Sequence, residues 1–298
     1  MIITGKKFSK PSLSRVKNGD VILPGKIQPE ERIRLDLYLV EKHPEFNRST
    51  LQNFIKSGYV TVGGEVIKKP NYELIKNSIP KIVLQVPEKS LPEDVKQFLI
   101  YEDNNVLVIN KPAGLLSMAK GEFTTEPTLE DYGLLVHRLD RDTSGVVILA
   151  KNEATQSMLR RQFQDRKTHK TYYAIVDGKP KLDEALINLP IARNLKRPTT
   201  FMVDPKGKPS ETYYKVLKSN GKNSLLELKP VSGRTHQLRV HLNYIGCPIV
   251  GDRVYNEKSK ADRLMLHAGS LEITIPGDAE NVRKTFSAPL PKEFESII

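Results

Sequence analysis

Residues 136–150 read V-H-R-L-D-R-D-T-S-G-V-V-I-L-A, with two arginines and two aspartates set between apolar runs. A short strand after a polar turn needs no such cargo. Residues 146–150 have the unbroken apolar character of a strand at a sheet centre. D-T-S-G is turn chemistry, and Asp142 is placed to bond the backbone amides of that turn. Asp140 lies at the strand-to-turn edge, where a cleft can open. A carboxylate buried there must be paired, or it takes up a proton. The run R-T-H-Q-L-R at 234–239 offers guanidinium partners that would keep it charged. Residue types alone leave two readings of Asp140: a catalytic carboxylate, or half of a structural salt bridge.

Strands must do most of the positioning. Beyond residue 98 the chain reads F-L-I-Y-E-D-N-N-V-L-V-I-N, then V-V-I-L-A, Y-Y-A-I-V, S-E-T-Y-Y-K-V-L and S-L-L-E-L-K-P. Helical patterns are confined to about 152–165 and 235–245. Many strands with few crossover helices predict an α+β domain built on a largely antiparallel mixed sheet. The front of the chain differs. Leu35, Tyr38 and Leu39 fall at helical spacing. In N-R-S-T-L-Q-N-F-I-K-S-G, Ser49 and Gln52 occupy capping-box positions, Leu51, Phe54 and Ile55 share a face, and Gly58 ends the helix. Y-V-T-V, G-G and E-V-I read as a hairpin, and K-I-V-L-Q-V as a further strand. The expected organisation is a basic arm over 1–28, a small α/β module over 29–88, and a large domain over 89–298. P-E-K-S-L-P-E-D-V serves as the linker.

The charge points to a polyanion. Net charge is +12, and residues 1–90 hold 16 basic against 9 acidic side chains. A basic front on a milder body suits nucleic acid. No apolar run approaches the ~18 residues of a membrane span, so no membrane partner is expected. The N-terminal M-I-I-T-G-K-K-F-S-K lacks the apolar stretch of a secretory signal, and a reducing cytoplasm is the expected compartment. A single cysteine, Cys247, excludes an internal disulfide and a cysteine metal cluster. His137, His236, His241 and His267 lack metal-ligand spacing and read as core or capping residues. Ser117 and Ser144 lack a nucleophile-elbow setting.

Five motifs occur in order: V-L-V-I-N-K-P-A-G-L-L-S (106–117), H-R-L-D-R-D-T-S-G (137–145), K-T-Y-Y-A-I-V-D-G (170–178), G-R-T-H-Q-L-R-V-H-L-N-Y-I-G-C-P-I-V-G-D (233–252) and R-L-M-L-H-A (263–268). Together they resemble the RluA family of RNA pseudouridine synthases over residues 98–290. R-L-D-L-Y-L followed by R-S-T-L-Q-N-F-I-K-S-G-Y-V-T-V-G-G-E-V-I-K-K-P resembles the RNA-binding domain of the ribosomal-protein-S-four type. The resemblance implies the pseudouridine synthase fold, a monomer, and isomerisation of uridine within structured RNA, with large-subunit ribosomal RNA the expected substrate and transfer RNA the alternative. The C1′–N1 bond breaks, the uracil rotates, and C5 rejoins C1′. No cofactor and no metal are implied.

By the same resemblance Asp140 is the essential carboxylate, either attacking C1′ or removing a ribose proton. Arg234 would pair with Asp140. Tyr172, at the K-x-Y position, would stack on the uracil and help remove the C5 proton, while the adjacent Tyr173 faces the other side of its strand. The target base must leave its stack to be reached, and Arg138 would fill the gap it leaves. Leu266 would pack against the base. Arg160 and Arg161, in the basic run R-R-Q-F-Q-D-R-K-T-H-K, would track the RNA backbone. Arg32, Arg34, Arg48, Lys56, Lys68 and Lys69 match basic positions of the RNA-binding module. Arg48 is favoured because it sits beside a helix start, which attracts phosphate. Two rivals remain. An inactive RNA-binding protein on this fold would have no need of Asp140, Tyr172 and Arg234. A glycosidase using Asp140 with Asp142 would need two carboxyls straddling a sugar, which residues so close across one turn do not do.

Overall fold

A computed structural model describes residues 31–85, 95–119, 124, 126–277 and 279–298. The basic arm and the linker up to residue 94 lie outside the described residues, as do the boundaries at 28 and 88. The chain divides into two compact units near residue 86.

In the smaller unit, helices Leu35–Lys42 and Arg48–Lys56 pack beside two short sheets, one of which pairs strands Val60–Val62, Glu65–Val66 and Ile82–Leu84. Leu35, Leu39, Leu51, Phe54 and Ile55 form its buried face. The second helix is capped differently from the capping-box expectation. Asn47 is the N-cap, and its side chain accepts from the Thr50 amide at 2.9 Å. Ser49 therefore lies inside the helix, and Gln52 turns instead to Asp36 at 2.6 Å. Gly58 takes the left-handed conformation (φ 83°) that lets the chain leave the helix.

Asp36 is fully buried and ringed by donors. Burial alone would raise its pKa, but bonds from Gln52, Arg34 and Arg48 bring it down to about 2. The stability this carboxylate contributes is complete above its ordinary range and lost as pH falls through about 2.

The larger unit is a ten-stranded sheet. Its main path runs Glu184–Asn188, Glu211–Ser219, Asn223–Pro230, His169–Asp177, Leu266–Ile275, Ser144–Ala150, Val106–Lys111 and Leu99–Glu102. Every pairing along this path is antiparallel except that of Leu266–Ile275 with Ser144–Ala150. Those two strands run parallel through only two residue pairs, His267 with Ser144 and Ala268 with Gly145. Gly145 has φ 115°, and a Cβ there would overlap the Ala268 backbone, so only glycine lets the two strands meet. This seam joins two antiparallel halves, and packing across it reinforces the join. Val146 and Ile148 on one side share a core with Leu271 and Ile273 on the other, under the helix Glu153–Gln164. The helix Gln237–Tyr244 packs on the other half, where Leu238 and Leu242 join Ile175, Leu226 and Leu228.

Among the described residues, no helix is long and apolar enough to cross a membrane.

Candidate active site at the sheet seam

Asp140 enters the seam from a laced turn. Its carbonyl accepts from the Thr143 amide at 3.1 Å. Ser117 Oγ grips the preceding residue from both sides, donating to the Leu139 carbonyl at 2.7 Å and accepting from its amide at 3.1 Å. The loop after strand Val106–Lys111 holds the other side of the turn. The Lys111 ammonium, fully buried, donates to the carbonyls of Pro112 (2.9 Å), Leu115 (2.8 Å) and Arg141 (2.8 Å). Burial pushes Lys111 down to about 7, against the pull of Asp142 and Asp140.

Lys111→Met would leave those carbonyls without their donor. At ~1–3 kcal/mol per unsatisfied buried group, a loss of roughly 2–4 kcal/mol in urea unfolding is expected, since part of the lacing remains. An unchanged urea midpoint would show that the lysine does not hold the turn.

Asp142 is exposed, and among the described residues no turn amide bonds to it. The turn is held through Asp140 and Lys111 instead, which corrects the structural role expected of Asp142.

The partner of Asp140 is Arg239, not Arg234. Arg239 lies within the helix Gln237–Tyr244 and reaches Asp140 Oδ2 with Nη1 at 3.2 Å. Its Nε and Nη2 form a two-pronged pair with buried Asp252, both at 2.7 Å. Burial alone would lower the Arg239 pKa, but the two carboxylates outweigh it and raise it. Asp252 is lowered despite burial by Arg239 and by the amides of Tyr255 and Val254. Arg234 sits ahead of the helix, where its Nε donates to the Pro209 carbonyl at 3.4 Å, so it lines the cleft without reaching the carboxylate. The sequence offered both arginines. Asp252, in the G-D that ends the fourth motif, selects between them and was missed.

The cleft in front of Asp140 encloses about 100 Å³, and Arg138, Tyr172, Leu266, Arg234 and His236 are among its walls. Tyr172 comes from the strand next to the seam, and burial, then Asp140, pushes its phenol up. Leu266 is buried at the start of its strand. Arg138 is exposed at the rim, with Nη1 3.5 Å from the Met118 sulfur. Tyr173 faces away, its ring lying over Gly269.

The four histidines stand at core or capping positions, as read. His137 accepts from the Ile148 amide and stacks on Phe163. His241 bonds Thr212, and His267 bonds Ser144. His236, the helix N-cap, stands in the left-handed region (φ 56°), bonds the Tyr255 hydroxyl through Nδ1 at 2.8 Å, and brings Nε2 to 3.8 Å from Asp140. Burial lowers its pKa, partly offset by Asp140. Such strain at a cleft marks a constrained site.

The basic residues expected to hold RNA are spread over both units. On the helix Glu153–Gln164, Arg160 is tied to the Leu135 carbonyl at 3.1 Å, and Arg161 is exposed beside Asp165. In the smaller unit Arg32 pairs with Glu73, and Arg48 bonds Asp36 through Nε and Nη2. Arg48 therefore shares its charge with a buried carboxylate rather than presenting all of it to phosphate. Lys56 and Lys68 are exposed, and the Lys68 stem packs over Gly58.

Comparison with known proteins matches this arrangement. The RNA pseudouridylate synthase family model covers residues 105–244, and the S4 domain model covers 33–77. An RNA pseudouridine synthase of Aquifex aeolicus is 38% identical, with 80% of this chain and 82% of that protein covered. The ribosomal large subunit pseudouridine synthase D of Borreliella burgdorferi is 36% identical, with 89% and 88% covered. Among solved structures, human RNA pseudouridylate synthase domain containing 1 superposes with a TM-score of 0.56 at 31% identity, covering 66% of this chain and 85% of that one. Motif order, sheet, cleft and relatives agree, and the chain belongs to the RluA-like RNA pseudouridine synthases, isomerases that here carry an N-terminal S4 RNA-binding domain.

Proposed function

We propose that this enzyme converts uridine to pseudouridine in large-subunit ribosomal RNA, with Asp140 as its essential carboxylate. One observation carries the assignment of the site: Asp140, held by Arg239, opens into the same cleft as Tyr172 and Leu266. A flipped uracil between the phenol and the leucine would bring its ribose C1′ toward the carboxylate. Arg138, at the rim and free of a carboxylate partner among the described residues, is placed to enter the emptied stack. Extruding the base costs a few kcal/mol, and filling the gap offsets part of that.

The ribosomal substrate is supported by relatives named as ribosomal large subunit synthases, such as synthase D of Borreliella burgdorferi and synthase C of Vibrio vulnificus, the latter 30% identical over 292 residues. The S4 domain suits folded RNA. The test offers the purified protein separate transcripts of large-subunit ribosomal RNA and transfer RNA, and maps pseudouridine in each. New pseudouridine in the ribosomal transcript is the expected result. Pseudouridine confined to transfer RNA would overturn the substrate, and none in either would overturn the activity for both.

A further inference from the structure

A second pocket of about 400 Å³ adjoins the uridine cleft and shares Arg138, Lys170, Tyr172 and Arg234 with it. Its lining includes four cationic side chains, Arg138, Arg166, Lys170 and Arg234, and, among the described residues, no carboxylate. None of the four has a carboxylate partner among the described residues. Lys170 reaches only the Ser232 carbonyl, at 3.4 Å, and Arg234 only Pro209.

One wall of this pocket is the turn that ends the helix Glu153–Gln164, where the Lys167 amide bonds the Gln162 carbonyl and the Arg166 amide bonds the Phe163 carbonyl. Among the described residues two non-glycine residues stand in the left-handed region, Arg166 (φ 57°) and His236. One lines each pocket. Ending the helix at Arg166 places that residue beside Lys170 in the pocket wall. Four like charges around one cavity repel each other, so the free protein holds them at a cost that an anion would relieve.

We propose that this pocket binds a backbone phosphate of the RNA strand that carries the flipped uridine, with Lys170 and Arg166 as its principal ligands. The inference rests on the reading that the Asp140 cleft takes the uridine. The two pockets adjoin through shared walls, and both Lys170 and Tyr172, two residues apart on one strand, line each of them. Phosphate in one part would fix the register of the nucleotide in the other, in the way that phosphate contacts position and base contacts specify.

The pocket has a pH signature. Burial and Arg166 lower Lys170 to about 8. The groups that face it are Arg166, Arg138, Arg234, Tyr172 and His137, with Asp140, His236 and Arg239 across the adjoining cleft, and His137 is held neutral by burial and by Lys170 itself. The lysine is charged below about 8 and loses its charge as pH rises through that value, so phosphate binding should weaken on the alkaline side.

The experiment uses the whole protein and an RNA it isomerises, prepared with one neutral methylphosphonate at each linkage around the target uridine in turn. Single-turnover kcat/KM is expected to fall about tenfold or more at one linkage, as for a lost charged contact. Lys170→Met should show that loss on unmodified RNA, and the neutral linkage should then add little, since two changes to one contact are not additive. Lys170→Arg should restore the rate and remove the fall in kcat/KM above about pH 8. If Lys170→Met does not fold, Arg166→Gln takes its place in the same cycle. Fully additive losses at every linkage would overturn the phosphate site. So would coupling to an abasic neighbour instead of a neutral linkage, which would make the pocket a seat for a base. Failure of the parent to isomerise any RNA would remove the uridine reading and this one together, whereas an active parent with additive losses would remove only the pocket.

Discussion

Asp140→Asn protein is expected to form no measurable pseudouridine while still binding RNA. Asparagine keeps the size of the side chain and an oxygen that accepts from Arg239, so the cleft and its walls should persist. What disappears is the charge and the basicity facing the ribose. Loss of one positioned acid–base group removes ~10²–10⁴-fold in rate, and loss of an attacking carboxylate removes the covalent route altogether. Single-turnover conversion of a mapped substrate, with RNA binding measured in parallel, reads both quantities. Comparable rates for mutant and parent would end the assignment of Asp140. Parallel loss of binding would instead place the aspartate in the RNA grip.

The second large effect is expected at Arg239. This guanidinium holds Asp252 with two prongs and Asp140 with the third nitrogen. Arg239→Gln would leave Asp252, fully buried, without its counter-ion, and breaking a buried pair in this way costs ~3–5 kcal/mol. A large fall in thermal or urea stability should follow. Arg239→Lys separates catalysis from folding. It keeps one positive charge but not the planar fork, so it cannot span both carboxylates. A folded Arg239→Lys protein with kcat reduced by ~10²-fold, and KM much less affected, is the expected outcome. Arg234→Lys should act mainly on KM, because Arg234 lines the cleft without touching Asp140. If Arg234→Lys lowers kcat more than Arg239→Lys does, the assignment of the two arginines is reversed.

Asp140 stood out in the sequence as a carboxylate at a strand-to-turn edge, while Arg138, Tyr172 and Leu266 were expected at the site only through the resemblance of their motifs to a known family. The partner of Asp140 was not legible. Arg234 and Arg239 share one motif, and the choice between them depends on where the helix begins and on Asp252, thirteen residues beyond Arg239. A glycine–aspartate pair after an apolar run reads as a turn, and nothing local reveals that its carboxylate is buried against a guanidinium. Lys111 was hidden in a similar way. A lysine before proline looks exposed until the loop it begins folds back on the Asp140 turn. His236 was read with the other histidines because the strain that separates it is a property of the backbone. The antiparallel sheet followed from the run of strands. Its parallel seam did not, since Ser144 and His267 are 123 residues apart in sequence and no periodicity announces their pairing.

That seam has a mechanical consequence. The site is divided across it, with Arg138 and Asp140 carried by one half of the sheet and Tyr172 and Leu266 by the other. Antiparallel ladders on either side run through six residue pairs, as in the pairing of His169–Asp177 with Leu266–Ile275, but the seam has two. Most of what holds the halves together there is apolar packing, which is non-directional and tolerates small sliding. The two halves of the site are therefore kept in register chiefly by the core that spans the seam.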